Sequence, residues 1–341
     1  MVSGIILLLE FFVSAWLTRQ FCNPTSFFYI LDHPNERSLH VNPTPRTGGV
    51  AILIALGIGA LGLSAINRLE PDLIWLVPGI LLLGIVSFLD DRFGVRPVHR
   101  LFVHVMAALL LVYGSFVITA LELPVGRWEW PTWMAVPVSV LFIVWMINLY
   151  NFMDGMDGFA GGMAVIGFGT FALLGLLAGH GGFVMLNLAV MAATGGFLLF
   201  NFPPAKIFMG DVGASVLGFL AAAFTLWGAR AGIFPFWVAI VVFSPFIFDA
   251  TVTLLRRLLR GERVWEAHRG HYYQRVVRMG WGHRRTVLWE YALMLLCSVL
   301  ALAAVDTTPR GQWGVVGVWL AVYVGLMVWV DKRGESGGPS K

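Results

Sequence analysis

Apolar residues run through this chain in blocks of about 20, parted by short polar stretches, from its first residues nearly to its last. About 20 residues of helix rise roughly 30 Å, the thickness of a bilayer's hydrocarbon core. The pattern therefore predicts eleven membrane-crossing helices, near residues 3–22, 48–66, 73–89, 101–121, 133–151, 161–179, 183–200, 212–229, 235–255, 287–304 and 314–330. The expected fold class is all-α, a polytopic integral membrane protein. One transmembrane domain would cover 1–331, and the polar tail 332–341 has the composition of a disordered segment. The first run has neither a basic flank nor a small-residue cleavage site before Arg19, so it reads as a retained span and not a signal peptide.

Composition sharpens this picture. Apolar residues make up 58% of the chain and charged ones 12%, against about 45–50% and 25% in soluble globular proteins. Membrane lipid is thus the first partner implied. The net charge of +4 is not gathered on a soluble face, which excludes nucleic acid as a partner. With the amino terminus outside, of the 23 Lys and Arg residues only Arg68, Arg127, Arg230 and Arg310 fall in outer segments. That bias is the positive-inside pattern, with a periplasmic amino terminus and a cytoplasmic carboxy terminus. Cys22 and Cys297 are distant in sequence and lie at or in apolar runs, so they form neither a disulfide framework nor a metal knuckle.

Five inner segments interrupt the apolar pattern with unusual chemistry. In 145–162, WMINLYNFMDGMDGFAGG, two acids break an apolar run. An Asp at mid-bilayer costs about 2.5–3.5 kcal/mol, so these belong at a membrane edge or in a functional cavity. Asn151, Asp154 and Asp157 recur every three residues, which on a helix would make one polar face; the plain alternative is a turn with Asp157 capping the next helix. The segment 32–49 holds three prolines and reads as an irregular loop. It is either a solvated connector or an anion-holding loop, in which Arg46 and the amides around Gly48 and Gly49 face phosphate oxygens.

Asp90 and Asp91 end a helix, where the macrodipole opposes them, so something else must hold them there. They form a surface ion network with Arg92 and Arg96, or a site for a hard divalent cation, or a proton-transfer pair. Asp211 follows a Pro203–Pro204 helix stop and is either a helix cap or an oxygen ligand for magnesium. Phe208, three residues earlier, could stack on a base. In 256–285 the alternation of Arg and aromatic residues fits an interfacial helix, while His268, Arg269 and His271 stand together ahead of it and could clamp a diphosphate. Asp249 is expected to make a structural polar contact and Pro245 to kink its helix; Glu10 has no evident role.

Five motifs in this order, PTPRTGG at 43–49, DDRFG at 90–94, NFMDGMDGFAGG at 151–162, KIFMGDVGAS at 206–215 and HRGH at 268–271, resemble the polyprenyl-phosphate N-acetylhexosamine-1-phosphate transferases. Any one motif is weak; the five together cover about residues 30–285 and are specific. The resemblance implies a bacterial inner-membrane enzyme with its site on the cytoplasmic face. It would transfer N-acetylhexosamine-1-phosphate from a UDP-sugar to undecaprenyl phosphate, releasing UMP, with Mg2+ as cofactor and Mn2+ as the alternative ion. Asp211 corresponds to the family's metal ligand and Asn151 to an Asn that some members add. Phe208 and Asp157 match the residues that hold uracil, with Asn201 a weaker match. Asp90 and Asp91 match the paired aspartates and, with Asp154, are the catalytic candidates. His268, Arg269 and His271 take the place of the histidine-rich loop, and Arg46 and Lys206 would offset phosphate charge.

HRGH followed by YYQR departs from the histidine runs of the muramoyl-pentapeptide and GlcNAc-1-phosphate enzymes. In flavour the chain is nearer to members that start O-antigen or related polysaccharides from FucNAc, QuiNAc or GlcNAc donors. A homodimer is compatible with this reading. The competing class is an ion-coupled transporter, since broken helices and intramembrane acids occur there too.

Overall fold

The computed structural model describes residues 2–34, 38–66, 71–263 and 269–336. His268 lies outside the described residues, as do Arg37, Arg68 and Lys341 of the topology argument. Thirteen α-helices occur among the described residues: α1 (Val2–Phe21), α2 (Gly48–Ala65), α3 (Leu76–Phe93), α4 (Pro97–Tyr113), α5 (Thr132–Met153), α6 (Phe159–Leu177), α7 (Gly181–Asn201), α8 (Gly210–Arg230), α9 (Phe236–Val242), α10 (Ser244–Leu259), α11 (Tyr272–Val276), α12 (Gly282–Val305) and α13 (Pro309–Ser336). Nine helical stretches among them are long and apolar enough to cross a bilayer, and α9 with α10 makes a tenth if the bent pair is one span. The chain is a multi-pass, all-α membrane protein.

The expected span at 101–121 is shorter than its apolar run suggested. Helix α4 has only 17 residues and stops at Gly114, where Ser115 takes a left-handed φ of 66°. The β-branched residues Val117, Ile118 and Thr119 then lead into an antiparallel hairpin, β3 (Ala120–Leu123) with β4 (Gly126–Glu129). A short apolar run of this kind cannot be told from helix by periodicity, and here β-propensity and the packing of Phe116, 0% exposed, decided it. At the other end of the chain, α13 continues through Ser336. Asp331 holds that helix end by bonds of 2.7 Å to both Arg256 and Arg275.

The α9–α10 bend of 84° occurs where Pro245 enters the first turn of α10, as a proline without an amide and with a fixed φ favours. Its geometry is pinned from outside. Ser244 Oγ donates to the Val241 carbonyl at 2.6 Å, meets Tyr323 Oη at 2.9 Å and accepts from Trp319 Nε1 at 3.0 Å, so α13 holds the break. Helix α8 is the axis of the bundle: every residue from Val212 to Gly228 is buried. Its Gly, Ala and Ser residues let neighbouring helices approach closely, as tight packing in lipid requires. Peripheral helices such as α1 turn Phe12 and Trp16 outward and Glu10, Ser14 and Thr18 inward, with Glu10 set against Gly59 of α2.

The polar breaks between these helices come together. The starts of α2, α4, α6 and α8 and the ends of α3, α5 and α7 gather at one end of the bundle, beside the two-residue pairing of β1 (Leu31–Asp32) with β2 (Thr44–Pro45).

Candidate active site

The site is organised around the amino terminus of α8. A helix start leaves amides without partners, and α8 has no side-chain cap of its own. The missing acceptors come from other helices. Asp91 Oδ1, at the end of α3, accepts the Asp211 amide at 3.3 Å and the carboxylate also takes the Val212 amide, while Asp154 takes the amide of Gly210. This resolves the position of an acidic pair at the wrong end of its own helix: Asp91 is stabilised by the positive end of α8.

The approach demands glycine. Gly210 has φ +72°, and a Cβ there would lie 2.0 Å from the Arg46 carbonyl oxygen and 2.9 Å from Asp91 Oδ2. A Cβ on Gly49 would fall 2.1 Å from the Gly213 nitrogen, so α2 and α8 meet backbone to backbone. The loop before α2 is laced to the one before α8: Phe208 N donates to the Pro45 carbonyl at 2.7 Å, Gly48 N to Phe208 at 3.0 Å and Gly49 N to Met209 at 2.8 Å. The expectation that the amides of Gly48 and Gly49 hold phosphate is therefore overturned, because both already have carbonyl partners. Arg46 of the same loop lines the cavity.

Charge accumulates at this end. Arg100 Nη1 lies 2.5 Å from Asp90 Oδ2 and 3.2 Å from Asp211 Oδ2, and Asp90 Oδ1 accepts the Val95 amide at 2.6 Å. Arg46 donates to the Asp91 carbonyl, with Nε 3.4 Å from Asp91 Oδ1 and Nη1 3.8 Å from Asp32 Oδ1. Asp90, Asp91, Asp154 and Asp211 thus face two guanidinium groups, and Asp91 Oδ2 is buried without a hydrogen-bond partner. Burial, reinforced by the negative charges of Asp211 and Asp91, pushes the Asp154 carboxyl well above the ordinary carboxylate range, with the Gly210 amide pulling the other way.

The opposite wall is quieter. Asn201 Oδ1 accepts the Gly158 amide at 3.0 Å and its Nδ2 donates to Ile207 at 2.8 Å, so this buried side chain braces two backbone segments. Asp157 Oδ2 accepts the Ala205 amide at 3.0 Å, and Oδ1 lies 3.0 Å from His283 Nδ1. The Phe208 ring meets His40 edge-on, 4.9 Å between centroids. Asn151, Asp154 and Asp157 do not form one helical face, since α5 ends at Met153 and the following turn carries both acids.

Arg46, Asp90, Asp91, Asn151, Asp154, Asp157, Asn201, Phe208 and Asp211 line one cavity of about 560 Å³. Other expected site residues lie elsewhere. Lys206 is exposed and outside the cavity wall, turned away after the double-proline turn. Arg269 donates to the Ser38 carbonyl at 3.0 Å, beside the cavity and not lining it. His271 is buried, its Nδ1 3.1 Å from Asp249 Oδ1. Asp249 makes the structural contact expected of it: its oxygens also accept the Tyr272 and Tyr273 amides, both at 2.9 Å, at the start of α11.

Arg100, His40, His283 and Gln274 line the cavity without having been singled out in the sequence. Arg100 was foreseeable, since a helix starting at Pro97 puts it at the same membrane edge as Asp90. The histidines were hidden in a loop and in a basic run.

The carboxylate end fits a hard divalent cation. It carries an excess of acidic oxygen donors and one oxygen without a partner, with Asp211, Asp91, Asp154 and Asn151 as the donor set. Among the described residues no three His, Cys, Asp or Glu groups form a ready-made cage. Mg2+ does not need one, because it keeps waters and takes substrate phosphate oxygens beside one or two carboxylates.

Residues 73–229 match glycosyl transferase family 4. The chain is 31% identical over 298 residues to a "probable undecaprenyl-phosphate N-acetylglucosaminyl 1-phosphate transferase" of Bacillus subtilis (strain 168), covering 86% of this chain and 80% of that protein. It is 30% identical over 336 residues to a decaprenyl-phosphate N-acetylglucosaminephosphotransferase of Mycobacterium tuberculosis (strain ATCC 25618 / H37Rv), covering 89% and 83%. A phospho-N-acetylmuramoyl-pentapeptide-transferase of Shouchella clausii (strain KSM-K16) is 29% identical over 296 residues, covering 81% and 84%.

Proposed function

The chain belongs to glycosyl transferase family 4, and from that premise we propose that it moves an N-acetylhexosamine-1-phosphate from a UDP-sugar onto undecaprenyl phosphate, at the cytoplasmic face of a bacterial inner membrane. The observation that carries this reading is the division of one cavity into a carboxylate end, suited to a metal-bound diphosphate, and an aromatic, hydrogen-bonded wall suited to a nucleotide. That the acidic groups gather at one end of the bundle also speaks against an ion-coupled transporter, whose sites lie near the midplane.

In the reaction, an oxygen of the lipid phosphate bonds to the β-phosphorus of the donor while the bond from that phosphorus to the bridging oxygen breaks, and UMP leaves with the bridging oxygen. Both reactants are anions, so the site must offset their repulsion. Mg2+, held by Asp211 with Asp91, Asp154 and Asn151 as further donors, would supply charge neutralisation on the diphosphate and the departing UMP. Arg46 and Arg100 are already anchored on Asp91, Asp90 and Asp211 and so present fixed positive charge without reorganising. The acceptor needs little activation, because a phosphate monoester with a second pKa near 6 is mostly dianionic at pH 7. Asp90 and Asp91 would take its residual proton or orient it, Asp91 being the acceptor-side residue. Phe208 offers a face for uracil, and Asp157 and Asn201 hold the wall behind it.

An apolar cavity of about 490 Å³ between α10, α12 and α13, lined by Trp289, Leu293, Leu296 and Met327 near the α9–α10 bend, suits an isoprenoid chain. The product would begin a lipid-linked surface polysaccharide of the O-antigen type. The test is UMP release by purified protein given undecaprenyl phosphate, Mg2+ and a panel of UDP-N-acetylhexosamines. Release that requires both substrates supports the reading; solute flux without UMP release contradicts it.

A further inference from the structure

His283 joins parts of the chain that are far apart in sequence. Its Nδ1 lies 3.0 Å from Asp157 Oδ1 on the α5–α6 turn, and its ring also hydrogen-bonds the Leu39 carbonyl in the loop before α2. Nδ1 also lies 3.4 Å from the Asp157 amide nitrogen, so the ring meets the Asp157 corner through both its carboxylate and its backbone. The other oxygen of Asp157 is occupied by the Ala205 amide, so His283, Asp157 and the turn before Phe208 form one connected bridge.

The segment 38–44 runs across this bridge as a strap. Arg269 holds its Ser38 carbonyl at 3.0 Å, His283 holds Leu39, and His40 lies against the Phe208 ring. The strap thus crosses the nucleotide wall of the cavity, with Leu39, His40, Asp157, Phe208 and His283 all lining it. These residues also line a second cavity of about 440 Å³ that continues past them. The strap and its bridge partition the two.

Helix α12 is built to support this join. Gly282, with φ +66°, turns the chain into the helix immediately before His283. Two turns later Tyr291 donates to the Gly158 carbonyl at 2.6 Å, while its ring fills the space that a Cβ on Gly162 would occupy, 1.9 Å away. The same helix therefore grips the Asp157–Gly158 corner twice.

We propose that His283 is a positioning residue for the nucleotide sugar: bridging Asp157 and Leu39, it holds the strap and its His40 side chain in place beside Phe208 and so shapes the nucleotide end of the cavity. The inference rests on the proposed sugar-1-phosphate transfer. It assigns His283 no contact with the reacting phosphorus, which lies at the carboxylate end. Loss of the bridge should weaken donor binding and leave the lipid acceptor untouched.

The test is steady-state kinetics of H283A, H283Q, H40A and the H283A/H40A pair with the UDP-sugar that the wild-type protein uses best. Loss of a charge-assisted hydrogen bond corresponds to roughly tenfold or more, so H283A should raise KM for the UDP-sugar by about that factor. KM for the lipid phosphate should stay within about twofold of wild type. H283Q, which keeps one of the two hydrogen bonds, should recover part of the loss. Because His283 and His40 act through one strap, the double variant should be no worse than the poorer single variant. Multiplying effects of H283A and H40A, equal losses for donor and lipid, or an unchanged donor KM in H283Q and H283A would each overturn the proposal. If H283A does not fold, H283Q and H40A carry the same comparison. A wild-type protein that releases UMP from no UDP-sugar would overturn the transfer reading, and this inference with it.

Discussion

The two ends of the cavity hold acidic side chains in opposite conditions. Asp157 and its neighbour Asn201 have their polar atoms matched by backbone groups and His283, so the wall proposed for the nucleotide is a finished structure without a ligand. Asp90, Asp91, Asp154 and Asp211 crowd two arginines, with one carboxylate oxygen buried and unmatched. Unmatched charge in a protein interior is costly and is kept where a ligand completes it. On the proposed transfer, the contrast separates a surface that would shape a ligand from one that a cation and phosphate would complete.

Substitutions can break that contrast, and the largest effect is expected at the unfinished end. Asp211→Asn removes charge where metal and diphosphate would meet, and turnover should fall by about 1,000-fold, read as UMP release across a Mg2+ titration; recovery to wild-type rate at high Mg2+ would show only weakened affinity. Asp91→Asn should cost about 100-fold in kcat, since the amide can still accept from the α8 amides but loses the acceptor-side charge. Normal turnover at saturating metal and lipid would refute that role.

Asp157→Ala belongs to the finished wall. It should raise KM for the UDP-sugar about tenfold, leave the lipid KM near its original value and lower the melting temperature in detergent, because the Ala205 amide and His283 both lose their partner. Lys206→Ala should be the mildest, within about twofold in kcat/KM, since the side chain is exposed and outside the cavity; a tenfold loss would return Lys206 to the phosphate site.

The sequence alone carried much of this. The helices were legible because a bilayer imposes one length and one solvent on every span, and the single clear overreach, 101–121, occurs where β-branched residues continue an apolar run outside the helix. The carboxylates were legible because acids are conspicuous against lipid-soluble sequence. What could not be read was who partners whom. The amides of Gly48 and Gly49 looked available for phosphate until the lacing of two loops supplied their carbonyl partners. His271 looked like a diphosphate ligand, yet Asp249 on a neighbouring helix holds it in the protein interior. His283 was overlooked because nothing local distinguishes a bridging histidine from a basic surface run. Such pairings are set by helix packing between residues far apart in sequence, as Gly48 and Gly49 are, by 160 positions each, from Phe208 and Met209.

The central claim, transfer of sugar together with its phosphate, is tested most directly by following the β-phosphorus of the donor. Purified protein would be given undecaprenyl phosphate, Mg2+ and a UDP-N-acetylhexosamine labelled at that phosphorus. The label should pass into the lipid fraction as a sugar-bearing diphosphate while unlabelled UMP is released. Label retained in UDP, with sugar alone on the lipid or no lipid product at all, would contradict the account.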